Sequence, residues 1–87
     1  MSKWKFFERS SARETFKDKD GNIKDIYISS NSTYYYNKLE ELHRADGPAV
    51  KERYIVGYKK EYWFNGQSFD CKNLKEFRQL LKLKAFL

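Results

Sequence analysis

The sequence predicts an α+β fold in which a small antiparallel, hairpin-rich β-sheet packs against a C-terminal amphipathic α-helix. Three observations carry that reading. Turn dipeptides, Asp20-Gly21, Asp46-Gly47 and Asn65-Gly66, separate short runs of β-branched and aromatic residues. The last stretch changes period: it has no Gly or Pro and sets Leu74, Phe77, Leu80 and Leu81 at helical spacing. Finally, 87 residues are enough for one domain, since a second core would need roughly another hundred. The domain is residues 1–87, with the hairpin-rich region at 1–70 and the helix at 73–85.

The first hairpin joins a strand around Glu14 to Lys17 with one over Ile23 to Ser29, because Asp20-Gly21-Asn22 between them tolerates positive φ. Lys24, Ile26 and Ile28 alternate with Asp25, Tyr27 and Ser29, and the isoleucines are expected to point inward. After a polar turn over Ser29 to Thr33, Tyr34-Tyr35-Tyr36 is a strand with no alternation of polarity, so at least one tyrosine should be exposed. Ala49 to Val56 and Tyr58 to Phe64 form the next strand pair, with Gly57 near the bend. In its second arm Lys60, Tyr62 and Phe64 share one face and Lys59, Glu61 and Trp63 the other; either face can be the core. Asn73 caps the helix near Leu74, and Glu76 three residues later suits a capping box in which its carboxylate returns to the cap amide. Leu74, Phe77 and Leu81 should then cover the inner face of the sheet, while Lys75, Arg78 and Lys82 form a basic stripe beside them.

Composition narrows the chemistry. The single Cys71 cannot form an internal disulfide, and with one histidine there is no zinc quartet, so no metal and no cofactor is expected. Stability must come from packing by two Trp, seven Tyr and seven Phe. No apolar run approaches the roughly twenty residues of a membrane span, and the opening MSKWKFFERSS is not a secretory signal. No membrane partner is therefore expected, and the location is cytoplasmic. Asp18, Asp20 and Asn22 have the alternation of a calcium loop, but Ile23 and Ser29 stand where Gly and Glu are required, so a turn explains them better. Cys71 lies just before the helix with no base nearby in sequence and reads as a packing residue.

Eighteen Lys and Arg against twelve Asp and Glu give a net charge of +6, a field that draws anions to so small a surface. Basic residues are interleaved with aromatics around Lys51 to Tyr58 and Tyr58 to Trp63. Arg53, Lys59, Lys60, Lys75, Arg78 and Lys82 are the candidates for contact with RNA or an acidic partner, and Tyr35, Tyr58 and Trp63 for stacking on unpaired bases.

The segment LHRADGPAV, Leu42 to Val50, followed by YWFNGQ, Tyr62 to Gln67, resembles an HREDGPA-type repeat of small bacterial and tailed-phage proteins. That repeat is similar to MORN-type β-hairpin units and to those of the antitoxin-like YwqK group. TYYYN, Thr33 to Asn37, looks like the aromatic end of a preceding degenerate unit, so the repeat region spans 33–67, and Ala45 departs from the acid usual there. His43, Arg44, Asp46, Gly47 and Pro48 read as a structural turn: Pro48 fixes φ on leaving it, and His43 and Arg44 can bond its carbonyls or Asp46.

The resemblance, with the small basic body, implies a non-enzymatic binding protein, a monomer or homodimer. It would be a phage accessory or anti-defence inhibitor that meets a host protein in the host cytoplasm, for instance a ToxN-type ribonuclease toxin, with RNA or another polyanion contributing. Two alternatives stand beside it. One is a metal-independent endoribonuclease of RelE type, in which His or Tyr moves protons and Arg stabilises the phosphorane. The other is a structural or assembly module that uses its hairpin surface.

Overall fold

The computed structural model describes residues 3–85; the outermost positions of the 1–87 domain lie outside the described residues. Seven strands follow one another in an unbroken antiparallel meander: β1 (Lys5–Arg9), β2 (Arg13–Lys17), β3 (Ile23–Tyr27), β4 (Ser32–Tyr36), β5 (Val50–Tyr54), β6 (Gly57–Phe64) and β7 (Gln67–Phe69). One helix, α1 (Leu74–Ala85), closes the chain. The architecture is a mostly β sheet with a short helix; the Asn65-Gly66 turn leads into β7, whereas no turn dipeptide separates β1 from β2.

Two hairpin turns are built alike. Asp18 Oδ1 accepts from the backbone N–H groups of Asp20 and Asn22, both at 2.9 Å, while its own N–H donates to the Asn22 carbonyl. Nineteen residues on, Asn37 Oδ1 accepts from Leu39 N–H and Glu41 N–H at 2.9 and 3.0 Å, and its N–H donates to the Glu41 carbonyl. Each loop thus folds around one side chain that satisfies the backbone groups the strands leave unpaired. Asp18 is buried, which pushes its carboxyl up, yet the bonds from Asn22 and Asp20 outweigh burial and hold it below the ordinary value. Its oxygens are committed to the turn, which explains the acid spacing without a cation.

Register defines the two faces. Phe6, Phe16, Lys24, Tyr35, Tyr62 and Phe69 lie on one, through the pairs Phe6 with Phe16, Phe16 with Lys24, Lys24 with Tyr35 and Tyr62 with Phe69. The helix docks on this face through Phe77, which is 0% exposed and packs its ring on Tyr62 and Phe69 at centroid separations of 5.0 and 5.5 Å. Leu74, Leu80 and Leu81 are only half-buried. The expectation that α1 covers the inner face is corrected: its ring contacts are with β6 and β7.

The expectation that both isoleucines point inward is corrected for Ile28 alone, since Ile26 is half-buried on the Tyr35 face. Ile28 is exposed, whereas Asp25 on the opposite face is buried, because Thr15 Oγ1 donates to its carboxylate at 2.7 Å. None of Tyr34, Tyr35 and Tyr36 is fully exposed. Among the described residues the buried apolar side chains are few, Tyr35, Ala49, Val50, Tyr62 and Phe77. Between them cations fill in: Lys24 Nζ lies 5.8 Å from the ring centroids of both Phe16 and Tyr35. Each such contact is worth roughly 0.5–2 kcal/mol, depending on desolvation.

The capping box forms with a shift. Asn73 Oδ1 accepts from Glu76 N–H at 2.9 Å as the cap rule requires, but the Glu76 carboxylate accepts from Lys72 N–H, one residue before the cap amide.

Candidate polyanion-binding surface

The connection from β4 to β5 holds the residues of the turn motif, and each has a structural partner. Arg44 Nε donates to Asp46 at 3.0 Å and Nη1 to the Pro48 carbonyl at 3.3 Å, and its guanidinium lies 4.0 Å from the Tyr35 ring centroid. Gly47 completes this stack: a Cβ there would fall 2.9 Å from Arg44 Cζ, so a side chain at this position would have to displace the guanidinium, and the close approach rather than φ favours glycine. The motif therefore lays a cation on the buried Tyr35 and seals it with a turn. Burial acts to raise the Asp46 pKa, but the hydrogen bond and charge of Arg44 win and hold it low.

His43 is tied in from the other side. Its Nδ1 accepts from Asn65 N–H at 2.9 Å, its ring packs on Phe64 at 4.4 Å, and its backbone N–H donates to the Tyr35 carbonyl. Burial lowers the imidazole pKa, against a smaller opposing pull from Glu41, and the neutral ring suits the acceptor role. Arg44 N–H, Ala49 N–H and Gly66 N–H stitch the loop to the Trp63, Glu61 and Leu42 carbonyls.

Tyr35 is consequently not a stacking residue. It is 7% exposed, with Trp4 packed at 5.9 Å and Arg44 over its ring. A base has no access to it.

The strands β5 and β6 make a different object. β4 pairs with β5 only at Thr33–Lys51 and Tyr34–Val50, and β7 pairs with β6 only from Tyr62 to Phe64. The backbone of residues 52–60 therefore pairs across the hairpin alone, as a two-stranded arm that projects past its neighbours. Tyr62, Lys60 and Tyr58 share the helix-bearing face by strand alternation, and Lys51 and Arg53 face them as the cross-strand partners of Lys60 and Tyr58. Tyr58 is 64% exposed. Lys51, Arg53 and Lys60 are exposed and make no ion pair among the described residues.

The outer face of the arm is neutralised internally. Glu52 accepts from the Tyr34 hydroxyl and, at 3.1 Å, from the Tyr54 hydroxyl; Lys59 pairs with Glu52 at 3.8 Å and with Glu61 at 3.4 Å. Those bonds, led by Tyr34, lower the Glu52 pKa and raise that of Tyr34. Lys59 is thus removed from the free cations and Trp63, half-buried with Nε1 toward Glu61 at 3.3 Å, faces away from Tyr58. The expected stacking set does not share one surface.

On the helix, Lys75, Arg78 and Lys82 line one open concavity with Leu74 and Gln79, and all three cations are exposed without a carboxylate partner among the described residues. Cys71 is half-buried, its thiol raised by burial and by Glu76 and Asp70, and its Sγ lies 3.6 Å from the Phe69 carbonyl. Among the described residues no group of three or more His, Cys, Asp or Glu side chains could hold a metal ion, and no helix is long and apolar enough to cross a membrane.

Sequence reasoning missed Lys51 as a member of this surface. The signal was present: a Tyr54 to Gly57 hairpin closure fixes Lys51 opposite Lys60 by counting back along both strands. No protein family model, no curated protein and no solved structure matches this chain.

Proposed function

We propose that the chain is a small, basic, non-enzymatic binding protein, a phage accessory factor that inhibits a host protein, with RNA or another polyanion contributing to the contact. The observation that carries this reading is the free charge on the helix-bearing side: Lys51, Arg53 and Lys60 beside the exposed Tyr58, and Lys75, Arg78 and Lys82 in one concavity, all without internal carboxylate partners among the described residues. Cations held by a fold and not neutralised by it are the footprint of an anionic partner.

The histidine supports the non-enzymatic side of the reading. His43 has its Nδ1 engaged by the backbone and its ring packed on Phe64, which suits a turn element better than a proton shuttle. A meander of hairpins with an HRADGPA loop suits the MORN-like resemblance and, through it, an antitoxin-like inhibitor of a ToxN-type ribonuclease.

Incubation with labelled single-stranded RNA tests the proposal. Stable binding that weakens with salt and leaves the RNA intact is the expected result. Loss of full-length RNA with time would replace the proposal with a RelE-type ribonuclease, and no binding at any salt would leave an assembly module. A pull-down with and without nuclease then distinguishes an RNA bridge from a direct protein contact.

A further inference from the structure

The arm ends in two apolar side chains that touch nothing. Tyr54 pairs with Gly57 and closes a two-residue turn whose tip is Ile55, 104% exposed, and Val56, 96% exposed. The turn does not need them. Gly57 takes the positive φ of 124°, and its neighbours at the tip keep negative φ, a conformation open to the polar residues that turns usually carry. Aliphatic groups standing alone in water at the end of a projecting ribbon serve no packing purpose within the described chain.

We propose that Ile55 and Val56 are the anchor of the arm in a partner protein, seated in an apolar socket whose rim carries carboxylates on one side. The inference rests on the reading of the chain as a binding protein and adds where the partner is held and what its surface is made of. Charge distribution selects the partner. The helix-bearing side of the arm shows Lys51, Arg53 and Lys60 unpaired, whereas on the outer side Lys59 is matched by Glu52 and Glu61. A lipid surface approached tip-first would meet both sides alike and would favour cations on each; a one-sided pattern fits a socket with an asymmetric acidic rim. RNA offers nothing apolar for an isoleucine and a valine. A second copy of the chain would bring its own excess of positive charge, +6, against this one. The composition of the arm also suits a protein contact. Tyr54, Tyr58 and Arg53 surround the tip, and Tyr and Arg are the residues that carry contact energy around a desolvated apolar centre.

The test places a photo-crosslinking phenylalanine at position 54, one residue from the tip, and in a second protein at Leu39, an exposed residue in a different turn. Both are irradiated in a bacterial lysate, and the linked peptides are sequenced. The expected result is a protein adduct from position 54 only, with the linked peptide apolar and flanked by Asp or Glu. The adduct should fall by at least about tenfold in Ile55→Ser/Val56→Ser and should weaken with salt. The double variant should keep the parent's thermal midpoint, which separates lost binding from lost folding. An adduct that survives the double variant overturns the inference, as does one formed with RNA, with lipid or with a second copy. If the nuclease-treated pull-down retains a protein but position 54 forms no adduct, the binding-protein reading stands and the anchor falls. If no protein is captured by either route, both fall.

Discussion

The β4–β5 loop and the β5–β6 arm are adjacent in sequence and opposite in how they use polar residues. In the loop, Arg44, Asp46, His43 and Asn37 all bond to the chain itself, and the cation of Arg44 lies on Tyr35. In the arm, Lys51, Arg53 and Lys60 have no ion pair among the described residues, and the tip is bare aliphatic surface. A motif rich in charge can therefore be purely architectural, while a plain strand pair holds the chemistry available to others. Charge alone does not separate the two cases; the partner of each charge does.

Four variants or conditions break or sharpen this contrast. Phe77→Ala should have the largest effect, about 3–5 kcal/mol of lost stability, because the ring is fully buried between Tyr62 and Phe69. Urea denaturation would measure it, and a loss below about 1 kcal/mol would show that the helix does not hold the sheet.

Gly47→Ala comes next, at about 1–3 kcal/mol, since the new methyl displaces the guanidinium from its place over Tyr35. The same change made in an Arg44→Ala background should cost far less. A double-mutant cycle with equal costs in both backgrounds would mean that the glycine serves something other than the Arg44 stack.

Acid should then loosen the loop before the arm. The His43 pKa is lowered on folding, so the unfolded chain takes the proton first; the stabilisation is complete above the ordinary value of 6.5 and is lost as pH falls through the folded value. The carboxyls of Asp18, Asp46 and Glu52 are also lowered, so their share is complete above their ordinary values, 3.8 for the aspartates and 4.5 for Glu52, and is lost in stronger acid. Thermal midpoints against pH should fall in two stages, and His43→Asn should flatten the first. A single stage near the carboxylate range would remove the histidine from the account.

The smallest effect on stability is expected from Lys51→Ala/Arg53→Ala/Lys60→Ala, within about 0.5 kcal/mol of the parent. RNA binding, in contrast, should weaken and lose salt dependence. Unchanged binding would transfer the contact to Lys75, Arg78 and Lys82.

The hairpins and the helix were legible because turn dipeptides and helical spacing act locally. Asp20-Gly21 and Asn65-Gly66 mark turns whatever packs around them, and Asn73 with Glu76 starts a helix on its own terms. The inner face was not legible, since in a sheet one layer thick both faces are partly wet. Alternation then reports two faces without saying which is covered. Asp25 is buried because Thr15, ten residues away, donates to it, and Ile28 is exposed because nothing lies above it. Tyr35 reads as a free aromatic for the same reason: Trp4, which packs on it, lies ahead of the edge strand β1, and Arg44 reaches it only through the fold of the following loop.

The meander has a kinetic consequence. Every strand pairs only with the one before and the one after it, so no strand waits for a far segment of chain before it can add. Assembly can start at any single turn and proceed in both directions, and closing each new loop costs little entropy. The rate of reaching the native state should accordingly depend more on the quality of the Asp18 and Asn37 turns than on the late docking of the helix.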